Sequence, residues 1–274
     1  MDYSNSELGQ VSSYDSQYNP DRLYAIARAL QRATLGCVST LPLPFFGVDS
    51  WTHYEVSWLN PRGKPMVALA TITYDCSTPF IVESKSLKLY FNGLNNTMFS
   101  SMSALELLIQ QDLSRCVAGE VSVVLSSLGR TSCTIQSAFT GDSLDELDIA
   151  CSVYTVEPDF LSTLPEETDE VLYSDLLRSN CLVTGQPDWG SVCIAYQGPK
   201  INRAGLLQYV VSFRNHQEFH EHCIERIFMD IIQRCKPARL TVTGRYTRRG
   251  GLDINPIRSS DPVSKNAGPR LIRQ

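Results

Sequence analysis

No run of apolar residues in the chain approaches the roughly 20 that a membrane-spanning helix needs, so no transmembrane segment is expected. Positive charge is not in excess: 24 Lys and Arg stand against 29 Asp and Glu, a formal net charge of -5. A tight nucleic-acid binder usually presents a basic surface, so direct contact with nucleic acid is not expected either. The first residues, MDYSNSELGQVSSYDSQY, lack the positive flank and apolar core of an export signal. No G-x-G-x-x-G follows a strand-like run, so a Rossmann dinucleotide fold is unsupported.

What is present is a chain of 274 residues, 43% hydrophobic, which suffices for one large core or two modest ones. Its nine cysteines are odd in number and irregularly spaced. Without an export signal they read as free thiols in a reducing cytoplasm, most of them small core residues and one of them open to a reactive role.

Residues 1–18, rich in Ser, Tyr, Gln and Asn, read as a flexible arm. Asn19-Pro20-Asp21 signals a helix start, with Leu23, Ile26, Ala27 and Leu30 at helical spacing. Trp51–Leu59, Val67–Tyr74, Leu87–Phe91 and Val121–Leu125 are rich in strand formers, whereas Leu105–Leu113 has one apolar helical face. The acidic stretch 157–176, with Pro158 and Pro165, reads as a connection between units spanning 19–156 and 177–258. In the second unit Cys181–Thr184 and Val192–Gln197 suggest a hairpin around PDWG. Leu206–Phe213 and Phe219–Cys235 read as helices, and Leu240–Tyr246 as a strand. The tail from Ser259 to Gln274 is polar and expected to be loose. A shift of 119 residues lays SALELLIQQDLSRC on HCIERIFMDIIQRC, which suggests two copies of one helix-and-strand unit. Ser101 and Met102 fall where the second copy carries His220 and Glu221, so chemistry there belongs to one copy.

Several residues could carry chemistry. Cys181 precedes Asp188 by seven residues across the turn-rich segment, and a thiol beside a carboxyl is a nucleophile with an acid. Equally, Cys181 reads as a buried small residue and Asp188 as a turn former. His216, His220, His222 and Cys223 form the densest cluster; His216 and His220 have metal-ligand spacing, but no paired ligand segment accompanies them. A solvated helix start and a proton-carrying His220 with a ring-binding Glu221 are comparable readings. Glu83-Ser84-Lys85, with Lys88, offers a carboxylate for an N–H-bearing purine edge and a cation for phosphate, or an ordinary charged strand start. Arg245–Gly251 joins three arginines to two glycines, a phosphate-binding loop or a basic turn.

Together, and in this order, ESKSLKLYFN, SNCLVTGQPDWG, FHEHCIERIF and YTRRGGLDINP closely resemble the 7-cyano-7-deazaguanine reductases of the queuosine pathway, in their long two-domain form. The resemblance covers about residues 20 to 258. It implies an α+β class with tandem tunnelling-fold units, antiparallel sheets with helices on one face. It implies reduction of a nitrile to an aminomethyl group with two NADPH, no metal, and a homodimer. Residue by residue, it implies Cys181 as the nucleophile forming a thioimide and Asp188 as the proton donor. Val82, Glu83, Ser84, His220 and Glu221 would bind substrate, and Ser84, Lys85, Arg249 and Gly250 the cofactor. Two other readings of the residues stay open: a zinc-dependent cyclohydrolase on a similar fold, and a purine-binding module without catalysis.

Overall fold

A computed structural model describes residues 14–37, 42–129, 134–264 and 268–274. The described residues begin their regular structure with a short 3-10 turn at Pro20–Arg22, then β1 (Ala25–Ala27) and α1 (Arg28–Thr34). A long hairpin follows, β2 (Phe46–Leu59) and β3 (Pro65–Asp75), then β4 (Phe80–Val82), which pairs with β1. Next come α2 (Ser84–Leu94), α3 (Met102–Val117) and β5 (Val121–Ser126). After the short strands β6 (Ile135–Gln136) and β7 (Asp142–Ser143), the pattern recurs: β8 (Thr163–Ser174), β9 (Arg178–Asn180), β10 (Pro187–Ile201), α4 (Arg203–Ser212), α5 (His220–Cys235) and β11 (Arg239–Tyr246). The chain then adds β12 (Leu252–Ser259) and β13 (Arg270–Leu271).

The main sheet has the order β5-β3-β2-β12-β11-β10-β8-β7, and β9 pairs with one end of β10. Its neighbours are antiparallel except β7 and β8. The class is mixed α and β, dominated by antiparallel pairing. The repeat seen in sequence is a structural one: α2 begins at Ser84 and α4 at Arg203, 119 residues on, and each helix pair is followed by a strand. Helices α3 and α5 even stop alike, on the left-handed residues Ala118 (φ 52°) and Lys236 (φ 49°).

Each half buries one face of its helices against its strands. Trp51, Ile72, Tyr90, Leu105 and Ile109 belong to one apolar cluster; Val192, Ile194, Leu206, Ile227 and Phe228 belong to the other. The halves are joined by β12, which pairs with β11 on one side and along its whole length with β2 on the other. Beneath that seam lies a buried ion network. Arg28 and Arg258 reach Asp49 at 2.5 and 2.8 Å, and Arg32 and Arg258 reach Glu225 at 2.7 and 2.9 Å. Three guanidinia share two carboxylates, so each charge has a partner, without which burial would be costly.

Several expectations are corrected. Leu87–Phe91 is helix, not strand: Glu83 caps α2, and Leu87, Tyr90, Phe91 and Leu94 bury one helical face. Cys181 does not begin a strand; β9 ends at Asn180 and Cys181 sits in the loop, while Asp188 lies within β10 rather than in a turn. The acidic stretch 157–176, read as a connection, holds a 3-10 turn at Pro158–Phe160 and the strand Thr163–Ser174, whose charges are mostly exposed. The helix expected from Asn19 is a 3-10 turn, a strand and a later helix. Part of the expected arm, residues 1–13, lies outside the described residues, but its end is tied down: the Tyr18 hydroxyl donates to Asp112 at 2.7 Å. The tail is not wholly loose either, since β13 pairs with β6 and Gln274 is buried.

Candidate active site

The segment around Cys181 is a tight loop closing the β9–β10 hairpin. The Cys181 N–H donates to the Gln186 carbonyl at 2.8 Å and the Gly185 N–H to the Cys181 carbonyl at 3.0 Å. Gly185 is at φ 66°, a conformation that favours glycine. The pairing Pro187↔Asn180 and Asp188↔Ser179 then sets Asp188 beside the end of β9. Cys181 and Asp188, 7% and 6% exposed, line one cavity of about 330 Å³ that opens to solvent. Val82, Ser84, His220, Glu221 and Arg249 line it too, with Trp51, Glu218, Phe219 and Ile254. A second space of about 250 Å³ shares Ser84, Asp188, His220, Arg249 and Ile254 with it and adds Lys88, Thr247 and Leu252.

The electrostatics separate the thiol from the carboxyl. Burial raises the Cys181 pKa, but hydrogen bonds from the Thr184 side chain and from the Thr184 and Val183 backbone, with the Arg249 charge, outweigh it, and the thiol is lowered. Asp188 moves the other way: burial raises it, against the opposing charges of Arg249 and Lys88. A lowered thiol and a raised carboxyl on one cavity suit a nucleophile and a proton donor. His220 Nε2 stands 3.7 Å from Asp188 Oδ1, too far for a hydrogen bond. Burial, then Arg249 and Lys88, hold the His220 pKa down at about 3, so its ring is neutral at pH 7. Glu221 is 1% exposed, and its Oε1 has no hydrogen-bond partner among the described residues. Burial and the Asp49 charge push its carboxyl up to about 8. An orphaned buried oxygen on a cavity wall is what a ligand with N–H groups would satisfy.

The remaining expected residues divide. Glu83 does not line either cavity, and both its oxygens already accept backbone N–H groups, Lys85 at 2.6 Å and Ser86 at 2.7 Å. It caps α2. Lys85 and Gly250 also lie off both linings, although a Cβ on Gly250 would come within 3.2 Å of Lys88. Lys88 is the cation that does reach the second cavity, with its pKa lowered to about 8 by burial and by Arg249. Ser84, Lys88 and Arg249 thus bring a hydroxyl and two basic side chains to the wall of the second cavity.

The histidine cluster is rearranged relative to expectation. His216, Glu218 and Cys223 place potential ligand atoms within 4.8 Å of one another, without His220. Arg226 donates to both oxygens of the same Glu218 carboxylate at 3.1 and 3.2 Å, so that carboxylate already has a cationic partner. Sequence reasoning did not single out Trp51, Phe219 or Ile254. Trp51 and Ile254 come from β2 and β12, distant strands that no local motif joins to Cys181.

Comparison with known proteins gives the same picture. Residues 14–125 match the family model described as nitrile reductase, 7-cyano-7-deazaguanine-reductase N-term, and residues 187–265 match that of QueF-like protein. A Legionella pneumophila (strain Lens) protein named NADPH-dependent 7-cyano-7-deazaguanine reductase is 61% identical, over 98% of this chain and 95% of its own length. A protein of the same name from Polaromonas naphthalenivorans (strain CJ2) is 52% identical over 98% of each chain, and one from Dechloromonas aromatica (strain RCB) 50% identical over 98% and 95%. The chain belongs to the 7-cyano-7-deazaguanine reductase family.

Proposed function

We propose that the protein reduces the nitrile of 7-cyano-7-deazaguanine to the aminomethyl group of 7-aminomethyl-7-deazaguanine, consuming two NADPH, in queuosine biosynthesis. The observation that carries this reading is the pairing, on one small cavity, of a thiol lowered by Thr184, Val183 and Arg249 with a carboxyl raised by burial. The names of its near relatives support it.

In this reading the Cys181 thiolate adds to the nitrile carbon and Asp188 gives its proton to the nitrogen, forming a thioimide. Ser84, Lys85, Lys88, Arg249 and Gly250 would hold NADPH, which would supply the hydride that carbon takes up at each of two stages. After the first stage the C–S bond breaks, its electron pair returns to Cys181, and an imine remains to be reduced. Two protons enter the product in all. An imine hydrolyses in water, so the apolar walls of Trp51, Val82 and Ile254 serve to keep water out. Val82, Ser84, His220 and Glu221 bind the base, with the orphaned Glu221 oxygen taking a ring N–H; Glu83 acts indirectly, by fixing the start of α2.

The recurrence of the helix pair 119 residues on supports tandem tunnelling-fold units over 19–156 and 177–258, and the family resemblance implies a homodimer. Free thiols and NADPH chemistry fit the cytoplasm.

The test omits cofactor. Mixed with 7-cyano-7-deazaguanine alone, the protein should gain the mass of one substrate at Cys181, and Cys181→Ala should not. Added NADPH should then be oxidised at two per substrate. Neither adduct nor oxidation in the unaltered protein would overturn the reading.

A further inference from the structure

Neighbouring residues of a strand point to opposite faces of its sheet. Trp51, Ile72, Tyr246 and Ile254 belong to the cores under the helices. Their strand neighbours Ser50, Thr73, Arg245 and Asn255 face the other way. There they line a separate cavity of about 560 Å³, open to solvent and closed on one side by Gly268, Pro269, Arg270 and Gln274 of the tail. The active site and this cavity lie on opposite faces of the same strands.

The unmet groups of this cavity are donors on cations. Arg245 is 5% exposed, and its Nη1 has no hydrogen-bond partner among the described residues. The Nε of Arg270, on the roof, has none either. The Asp253 and Asn255 side-chain oxygens are already in use. Asp253, the carboxylate side chain on the lining, takes the Thr52 N–H at 3.2 Å and Asn255 Nδ2 at 2.7 Å on Oδ1, and the Tyr54 hydroxyl at 2.5 Å on Oδ2. Asn255 Oδ1 accepts from Gln274 Nε2 at 2.6 Å. The hydroxyls of Thr71 and Thr73 stand on the same walls. Burial lowers the Arg245 pKa to about 10 even with Asp253 opposing it, as expected for a guanidinium short of negative charge. A ligand that satisfies this set brings acceptor oxygens and negative charge; a cation or an apolar group satisfies none of it.

We propose that this cavity is an oxyanion site, distinct from the active site, in which Arg245 and Arg270 take a phosphoryl group. That group belongs either to free inorganic phosphate or to a nucleoside monophosphate.

The test is calorimetry on the full chain saturated with NADP⁺, which blocks the cationic side of the active site. Inorganic phosphate and adenosine monophosphate are each titrated at constant ionic strength against a chloride control. At least one should bind at one site per chain. Arg245→Gln and Arg270→Gln should each weaken it on the order of tenfold or more, the loss of one charge-assisted contact. Thermal melting checks folding; should the buried Arg245→Gln fail to fold, the half-buried Arg270 decides through Arg270→Gln alone. Binding of phosphate only identifies the free ion, and binding of the nucleotide identifies a phosphoryl ester. Binding of neither under NADP⁺, or binding that Arg270→Gln leaves unchanged, overturns the proposal.

Discussion

Arg249 Nη1 lies 3.2 Å from Asp188 Oδ1, and the same guanidinium lowers the Cys181 thiol. One cation therefore pulls both reacting groups toward ionisation, which helps the thiol and opposes the acid. Burial restores the balance by raising Asp188 more than Arg249 and Lys88 lower it.

Arg249→Gln should move both limbs of the pH profile. Activity needs Cys181 ionised and Asp188 protonated, so the two limbs of the bell report this thiol and this carboxyl as a pair. Without Arg249 both pKa values rise, and the whole bell should shift to higher pH. The KM for NADPH should also rise about tenfold or more, for loss of a charge-assisted contact. Steady-state rates across pH 5 to 9 would show it, and an unshifted profile would argue that Arg249 touches only the cofactor.

Asp188→Asn keeps the shape and removes the proton. Turnover should fall by about 10²- to 10⁴-fold, the usual contribution of one general acid. Melting temperature should hold or rise, because a buried carboxyl with a raised pKa is a destabilising group. A large fall in melting temperature would assign Asp188 a structural role instead.

Glu83→Ala removes the cap of α2. The expected loss is about 1 to 2 kcal/mol, since two backbone donors go unpaired at a buried helix start. Denaturant unfolding should record that loss, and Ser84, at the first position of the helix, should lose its alignment with the cavity. A variant with a raised substrate KM and unaltered stability would return Glu83 to direct substrate contact.

Stability should fall as pH drops from about 6.5 toward 4. Burial holds His53 and His222 at about 4 and His220 at about 3, below the ordinary value near 6.5. Groups with a depressed folded pKa bind protons first in the unfolded chain, so acid favours unfolding across that window. Urea midpoints at pH 7 and pH 5 test this. Equal midpoints would mean that at least one of these rings is charged in the folded protein.

Much of the fold was legible because burial writes a period into the sequence. Leu105, Ile109 and Leu113 of α3 and Ile224, Ile227, Phe228 and Ile231 of α5 announce their helices, and the alternation of Val121, Val123 and Leu125 announces β5. The misreadings have physical causes. In α2, Leu87, Leu89 and Phe91 also alternate, which imitates a strand, and only the Glu83 cap decides. Strand β8 has one apolar end and an exposed, charged body, so no core-facing pattern marks it. At the site, Cys181 and Asp188 share a hairpin and could be read locally. Lys88, Trp51 and Ile254 reach it from three other elements, and only the packed sheet brings them together.

The insertion of β12 between β2 and β11 has a consequence for synthesis. Emerging from the ribosome, the first hairpin has an edge that nothing can occupy until residues 252–259 appear, some 200 positions later. Arg249 arrives in the same interval. The thiol of Cys181 and its local Thr184 and Val183 donors therefore leave the ribosome before the Arg249 guanidinium, whose charge adds to their lowering only once the last central strand has paired.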